Sequence, residues 1–177
     1  MKKNNIILIG FMGVGKGRLA RALAAETGFF ALDTDDLLES FENRKIKKIF
    51  RQEGEPYFRN LEKRVAHWLE IHVSSSIIST GGGFFAVENL NRIGTVIFLK
   101  ADFETILQEI FEHPKAAKKI KKRPLLQDTE KARALFDARQ PLYADKADMV
   151  IDVTGRPSQD IASEIINHLK FAPLAEA

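Results

Sequence analysis

Asn5-Ile6-Ile7-Leu8-Ile9-Gly10-Phe11-Met12-Gly13-Val14-Gly15-Lys16-Gly17-Arg18-Leu19 is the stretch that decides the fold. Its first part is a short, continuous run of β-branched residues and leucine, the pattern of a strand buried on both faces. From Gly15 onward Leu19, Ala22, Leu23 and Glu26 recur at helical spacing, and Gly28 stops the helix. Between strand and helix lie three glycines and a lysine. In such a turn successive backbone N–H groups can converge on a phosphate, and the helix N-terminus adds donors and partial positive charge. Lys16 then reaches the β- and γ-phosphates. With glycine at average usage, chance yields about 0.05 such matches in a chain of this size. A plain glycine turn with a solvated lysine is therefore the weaker reading. The candidate nucleotide-binding residues here are Gly10, Met12, Gly13, Val14, Gly15, Lys16, Gly17 and Arg18.

The pattern stops short after the lysine. A Ser or Thr normally follows, and its hydroxyl ligates Mg²⁺. Gly17 has no hydroxyl, so it marks a metal position only, with a water in the hydroxyl's place. The expectation is weakened Mg²⁺ binding with nucleotide binding retained. Arg18 either pairs with an α-phosphate or points to solvent.

Beyond this stretch, strand and helix signals alternate. Strands are expected at 29–32, 76–79, 95–99 and 149–153, besides 5–9. Helices are expected at 33–41, 46–52, 56–72, 102–111, 128–143 and 157–169, with Asp102 capping its own and Pro56 in a first turn, where its missing donor costs nothing. Five short buried strands separated by helices mean an α/β fold: a five-stranded parallel sheet with helices on both faces. In such folds ligands bind beyond the carboxyl ends of the strands. Trp68 shares a helix with Leu61, Val65 and Leu69 and reads as core. His67 and His72 are five apart, the wrong spacing for a shared helical metal site.

The 177 residues suit one domain, with no repeat and no linker. A net charge of +3 is too small to indicate nucleic acid, and the lysine-rich stretch at 115–122 lacks interleaved aromatics. There are no cysteines, which excludes disulfides and thiolate zinc sites. No apolar run approaches the ~20 residues of a membrane span. Met1-Lys2-Lys3 and the apolar residues after it resemble an export signal, but glycines interrupt the run, and Lys16, Arg18 and Arg21 place charge directly after it. The expectation is a cytoplasmic protein with neither membrane nor nucleic-acid partner. The tail after Lys170 is expected to fray.

Three further clusters bear on the acceptor. Asp33-Thr34-Asp35 follows the second strand; two carboxylates can hold Mg²⁺ waters and accept a proton, or simply cap a helix. Gly54-Glu55-Pro56-Tyr57-Phe58-Arg59 brings an arginine fork into a first helical turn, suited to a carboxylate or to a surface ion pair. Thr80-Gly81-Gly82-Gly83 ends the third strand, either as a flexible turn or as backbone that a ligand can approach closely.

Together with Lys122-Arg123-Pro124-Leu125-Leu126 and Arg139-Gln140-Pro141-Leu142-Tyr143, these motifs resemble, in order, those of shikimate kinases in the nucleoside-monophosphate-kinase-like P-loop group. The resemblance runs from about Ile6 to Ile166. It implies a monomeric enzyme that uses ATP and Mg²⁺ to phosphorylate the 3-hydroxyl of shikimate. Asp35 is then implied to hold the acceptor hydroxyl and favour its deprotonation, and Asp33 to hold water on Mg²⁺. Arg59 and Arg139 are implied to clamp the substrate carboxylate. Gly81, Gly82 and Gly83 are implied to line the ring, with Phe50 and Phe58 beside it. Arg123 is implied to descend on the transferring phosphoryl from a mobile lid at about 113–126. Arg156 and Pro157 are implied to border the adenine, and a helical segment at about 33–60 to hold the substrate. The alternatives are a related kinase acting on a nucleoside monophosphate or gluconate, and a protein that binds without turnover.

Overall fold

The fold comes from a computed structural model, which describes residues 4–112, 114, 125 and 128–170. The lid expected at 113–126, with Arg123, lies outside the described residues apart from 114 and 125.

Five parallel strands form one sheet: β1 (Ile6–Ile9), β2 (Phe30–Asp33), β3 (Ser76–Ser79), β4 (Thr95–Lys100) and β5 (Met149–Asp152), in the order β2-β3-β1-β4-β5. All four residues of β1 are fully buried. Successive strand residues face opposite sides, so both faces of the sheet are covered at its centre. The outer strands correct the expectation of five buried strands. Phe30 of β2 is 84% exposed and Val150 of β5 is 49% exposed, because an edge strand has a neighbour on one flank only.

Helices fill the connections: α1 (Lys16–Thr27), α2 (Thr34–Glu42), α3 (Ile46–His72), α4 (Leu90–Ile93), α5 (Phe103–Phe111), α6 (Thr129–Lys146) and α7 (Ser158–Leu169). α1 packs on β1, β2, β3 and α7. α3 is two helices run together across a kink: Gly54, at φ 81 and ψ 176, is not helical. The two helices expected on either side are therefore present, meeting just before Pro56. The short α4 and the 3-10 turn Phe84–Ala86 gave no periodic signal, being only about one turn long. Asp102 takes the N-cap position of α5 without a side-chain hydrogen bond, whereas the Asp128 carboxylate accepts from the Lys131 N–H and caps α6.

One buried polar residue ties the sheet's N-terminal edge together. Asn5 donates through Nδ2 to the Val73 carbonyl (3.0 Å) and the Ile93 carbonyl (2.8 Å), and its Oδ1 accepts from the Ser76 N–H (3.1 Å). Trp68 is not core: it is 43% exposed. The buried stripe of α3 runs through Phe58, Leu61, Glu62, Ala66 and Leu69, and Trp68 falls at its border. There it lines an open apolar groove between α2 and α3 with Leu37, Phe41 and Arg64.

Candidate active site

The loop after β1 is fastened to the core by Phe11, which is 1% exposed and packs edge-on against Phe136 (5.2 Å between centroids) and Phe103 (6.3 Å). Burying such a ring contributes roughly 1.5–3 kcal/mol, so the start of the loop is held by hydrophobic burial. Gly13 has φ 89, and a Cβ there would lie 2.5 Å from Ile110 Cδ1 on α5. Any other residue there would be strained in this left-handed backbone conformation and would have to push the Ile110 side chain aside. α1 begins after Gly15 with no capping side chain, which leaves the positive end of its dipole for a ligand. Lys16 is buried, and its Nζ donates to the carbonyls of Gly10 (2.7 Å) and Phe11 (2.9 Å).

Beside this loop stand the carboxylates that follow β2. Asp33 does cap α2: its Oδ1 accepts from the N–H groups of Asp35 (2.9 Å) and Asp36 (3.4 Å). Its second oxygen accepts from the Ser79 hydroxyl at 2.9 Å. Asp35 is different. Its Oδ1 is buried without a hydrogen-bond partner and aims at Gly81, where a Cβ would lie 2.6 Å away. Burial, reinforced by the negative charge of Asp33, pushes the Asp35 carboxyl up to about 7, although the Lys16 ammonium pulls the other way. A carboxyl poised near neutrality suits a general base.

The three glycines after β3 each meet a different side chain. Gly81 faces Asp35, Gly82 packs near Arg139 and Met12, and Gly83 lies directly against the Arg59 guanidinium. The backbone here is already engaged. The Gly81 N–H donates to Thr34 Oγ1 (3.0 Å), and the Gly82 carbonyl accepts from Arg139 (3.1 Å) and from the Tyr143 hydroxyl (2.6 Å). Burial pushes the Tyr143 phenol up to about 12, so it remains a donor. The glycines thus make room for charged side chains to crowd against the sheet edge.

Arg59 leaves α3 just beyond Pro56. It pairs through Nη1 with Glu62 (2.6 Å) and through Nη2 with Glu55 (2.7 Å), and lies 5.6 Å from the centroid of the Phe58 ring. Glu62 is the residue that sequence reasoning missed. It is 2% exposed and its Oε1 has no hydrogen-bond partner. Burial pushes its carboxyl up, and the Arg59 hydrogen bond opposes that. The available signal was an acidic residue three positions after Arg59, on the same helical face. Phe50 stacks on Phe58 at 4.5 Å; Phe58 is buried and Phe50 partly exposed.

Arg156 and Pro157 stand apart from this cluster. They line a polar cleft with Arg18, Arg21, Glu109 and Gln159 at the other end of the loop. Arg18 pairs there with Glu109 (3.3 Å), and Arg156 donates to the Asp152 carbonyl (3.0 Å) and pairs with Glu164. No group of three or more His, Cys, Asp or Glu suited to a metal occurs among the described residues. A magnesium ion here would rely on phosphates and waters, with one or two protein oxygens, as is usual for that ion.

A glycine loop with a buried lysine, at the carboxyl end of the central strand of a 2-3-1-4-5 parallel sheet, with an acidic pair beside it, defines a P-loop phosphotransferase. Within that class the chain belongs to the shikimate kinase family, whose model matches residues 12–170. It is 39% identical over 173 residues to the shikimate kinase of Persephonella marina, covering 94% of this chain and 99% of that one. It is 36% identical over 148 residues to that of Helicobacter hepaticus, covering 84% and 86%. Among solved structures it matches the shikimate kinase of Acinetobacter baumannii in complex with shikimate, with TM-score 0.84 and 32% identity over 98% of this chain and 96% of that one. The Aquifex aeolicus shikimate kinase gives TM-score 0.76 and 33% identity over 94% and 96%. A Janibacter sugar kinase at 22% identity and TM-score 0.62 shares the fold.

Proposed function

We propose that this protein transfers the γ-phosphoryl of ATP to the 3-hydroxyl of shikimate. The observation that carries the reading is Asp35: a carboxylate with one unpartnered buried oxygen, between Lys16 and the glycines that face Arg59 and Arg139. The loop and Lys16 bind the β- and γ-phosphates. Bound with the nucleotide, Mg²⁺ would supply positive charge to the phosphates, and Asp33 would hold a water on it. Arg59 and Arg139 clamp the carboxylate of the acid, with Phe50 and Phe58 packed beside it. Asp35 orients the attacking hydroxyl and takes its proton, which puts the oxygen in line for displacement without any covalent intermediate. Arg123, on a lid at 113–126, covers the transferring group, and Arg156 and Pro157 border the adenine. The whole chain acts as one domain, with 33–60 as its substrate-holding segment, and works as a cytoplasmic monomer. No described helix is long and apolar enough to cross a membrane.

The test is ADP release from ATP and Mg²⁺ with and without shikimate, with gluconate and AMP as controls. Turnover that depends on shikimate alone is the expected result. Turnover driven by gluconate or AMP would reassign the acceptor. Shikimate binding by calorimetry without turnover would make the chain a binding protein, the reading that Gly17 favours.

A further inference from the structure

We propose that the Ser79 hydroxyl, held by Asp33, supplies the protein oxygen on the nucleotide-bound Mg²⁺ that P-loop proteins take from the residue after the lysine. The proposal deepens the phosphotransfer reading above and rests on it.

Gly17 leaves that ligand position without a side chain, and the backbone does not demand a glycine there. A Cβ on Gly17 would sit in ordinary contact with its surroundings, its nearest neighbours being Arg21 Nη1 at 3.7 Å and Ser79 Oγ at 3.9 Å. Ser79 Oγ therefore stands beside the place a hydroxyl on residue 17 would occupy. Strand register explains how it arrives there. Ser79 ends β3 between Leu8 of β1 and Asp33 of β2, level with both.

The hydroxyl is also oriented for the task. An oxygen that ligates a cation must turn a lone pair toward it and its proton away. Ser79 Oγ gives its proton to Asp33 Oδ2 at 2.9 Å, and Asp33 is itself fixed by the two N–H groups on Oδ1. In P-loop NTPases the magnesium is held by the loop hydroxyl together with an acidic residue; here the hydroxyl beside the acid comes from β3. The neighbouring hydroxyls are engaged elsewhere. Thr80 Oγ1 donates to the Leu8 carbonyl (2.8 Å), and Thr34 Oγ1 accepts from the Gly81 N–H (3.0 Å). Arg21, the other group near position 17, is an exposed side chain free to turn to solvent when a cation enters.

The measurement is Mn²⁺ binding to the protein–ADP complex, followed by electron paramagnetic resonance, with metal-free ADP affinity as the control for folding. Ser79→Ala is expected to weaken Mn²⁺ about tenfold, the lower end of the loss seen when a metal site is disturbed, and to leave metal-free ADP binding unchanged. Adding Gly17→Ser to that variant restores the affinity. Mn²⁺ binding by Ser79→Ala equal to the parent protein's overturns the proposal. If Ser79→Ala does not fold, Gly17→Ser alone decides. A second hydroxyl changes Mn²⁺ affinity by less than about twofold where Ser79 already serves, and tightens it about tenfold where the site lacks a hydroxyl. None of these readings involves shikimate. Failure of shikimate turnover with the expected Mn²⁺ pattern would sink the acceptor assignment and leave this one standing.

Discussion

The phosphate loop and the acceptor cluster lie side by side and are built by opposite means. The loop is backbone shaped by glycines, fastened by one buried ring, with a single lysine folded onto its own carbonyls. The acceptor cluster is side chains. Asp35, Arg59, Glu62, Arg139 and Tyr143 come from three separate helices and meet over three glycines. Two of those groups leave a buried oxygen without a partner. Buried polar atoms are nearly always paired, and exceptions concentrate where a ligand or a reaction completes them. The loop is thus internally complete, whereas the cluster keeps two buried oxygens that the substrate proposed above would complete.

The variant that strains this contrast most is Asp35→Asn. If Asp35 is the base, shikimate-dependent turnover falls by about 10²–10⁴, the usual worth of a positioned general base, while ATP affinity measured by calorimetry stays within about twofold. Turnover near the parent value would reduce Asp35 to a packing role in the first turn of α2. Next in size is Arg59→Ala. A desolvated, charge-assisted pair to a carboxylate is worth roughly 1.5–3 kcal/mol, so the KM for shikimate should rise about 10- to 100-fold with kcat much less affected. An unchanged KM would remove Arg59 from the acid's binding site and leave it as the partner of Glu62.

The same contrast explains what could be read from the sequence. The loop occupies consecutive positions between a strand and a helix, so spacing alone locates it. The central strand is legible because both of its faces are buried. Asp33 carried two readings, a helix cap and a holder of Mg²⁺ water; the structure shows the cap, and its other oxygen accepts from the Ser79 hydroxyl. Glu62 was invisible because an acidic residue on a long helix is ordinarily solvated. Its burial follows from how α3 packs, which no local pattern encodes. Trp68 misled for the complementary reason: helical spacing defines a stripe, and a residue at the stripe's border can face a groove. Phe30 misled because a sequence does not say which strand lies at the edge.

The smallest effect tests whether the cluster's incompleteness is held as stability in the free protein. Asp35 has an ordinary value of 3.8 and is pushed to about 7 by burial first and by Asp33 second. The folded protein therefore keeps a proton on Asp35 across a range where the unfolded chain has lost it. Stability rises with pH only where the unfolded state binds more protons; here the folded state binds more. The stabilising share is complete below about 3.8 and is lost as pH climbs through about 7. Asp35→Asn keeps the shape and has no proton to lose. Thermal melting of the ligand-free proteins should thus coincide near pH 4 and separate as pH rises, the variant melting higher at pH 8. A difference of about 1 kcal/mol moves the midpoint by roughly 2–4 °C in a domain of this size. Glu62 is also pushed up by burial, with Arg59 opposing; it is present in both proteins, so the difference between the two curves reports Asp35 together with its coupling to Glu62. A gap that stays constant from pH 4 to pH 8 would mean that Asp35 is not held near neutrality by its surroundings. The acceptor side would then resemble the loop, a receptor complete before its ligand binds.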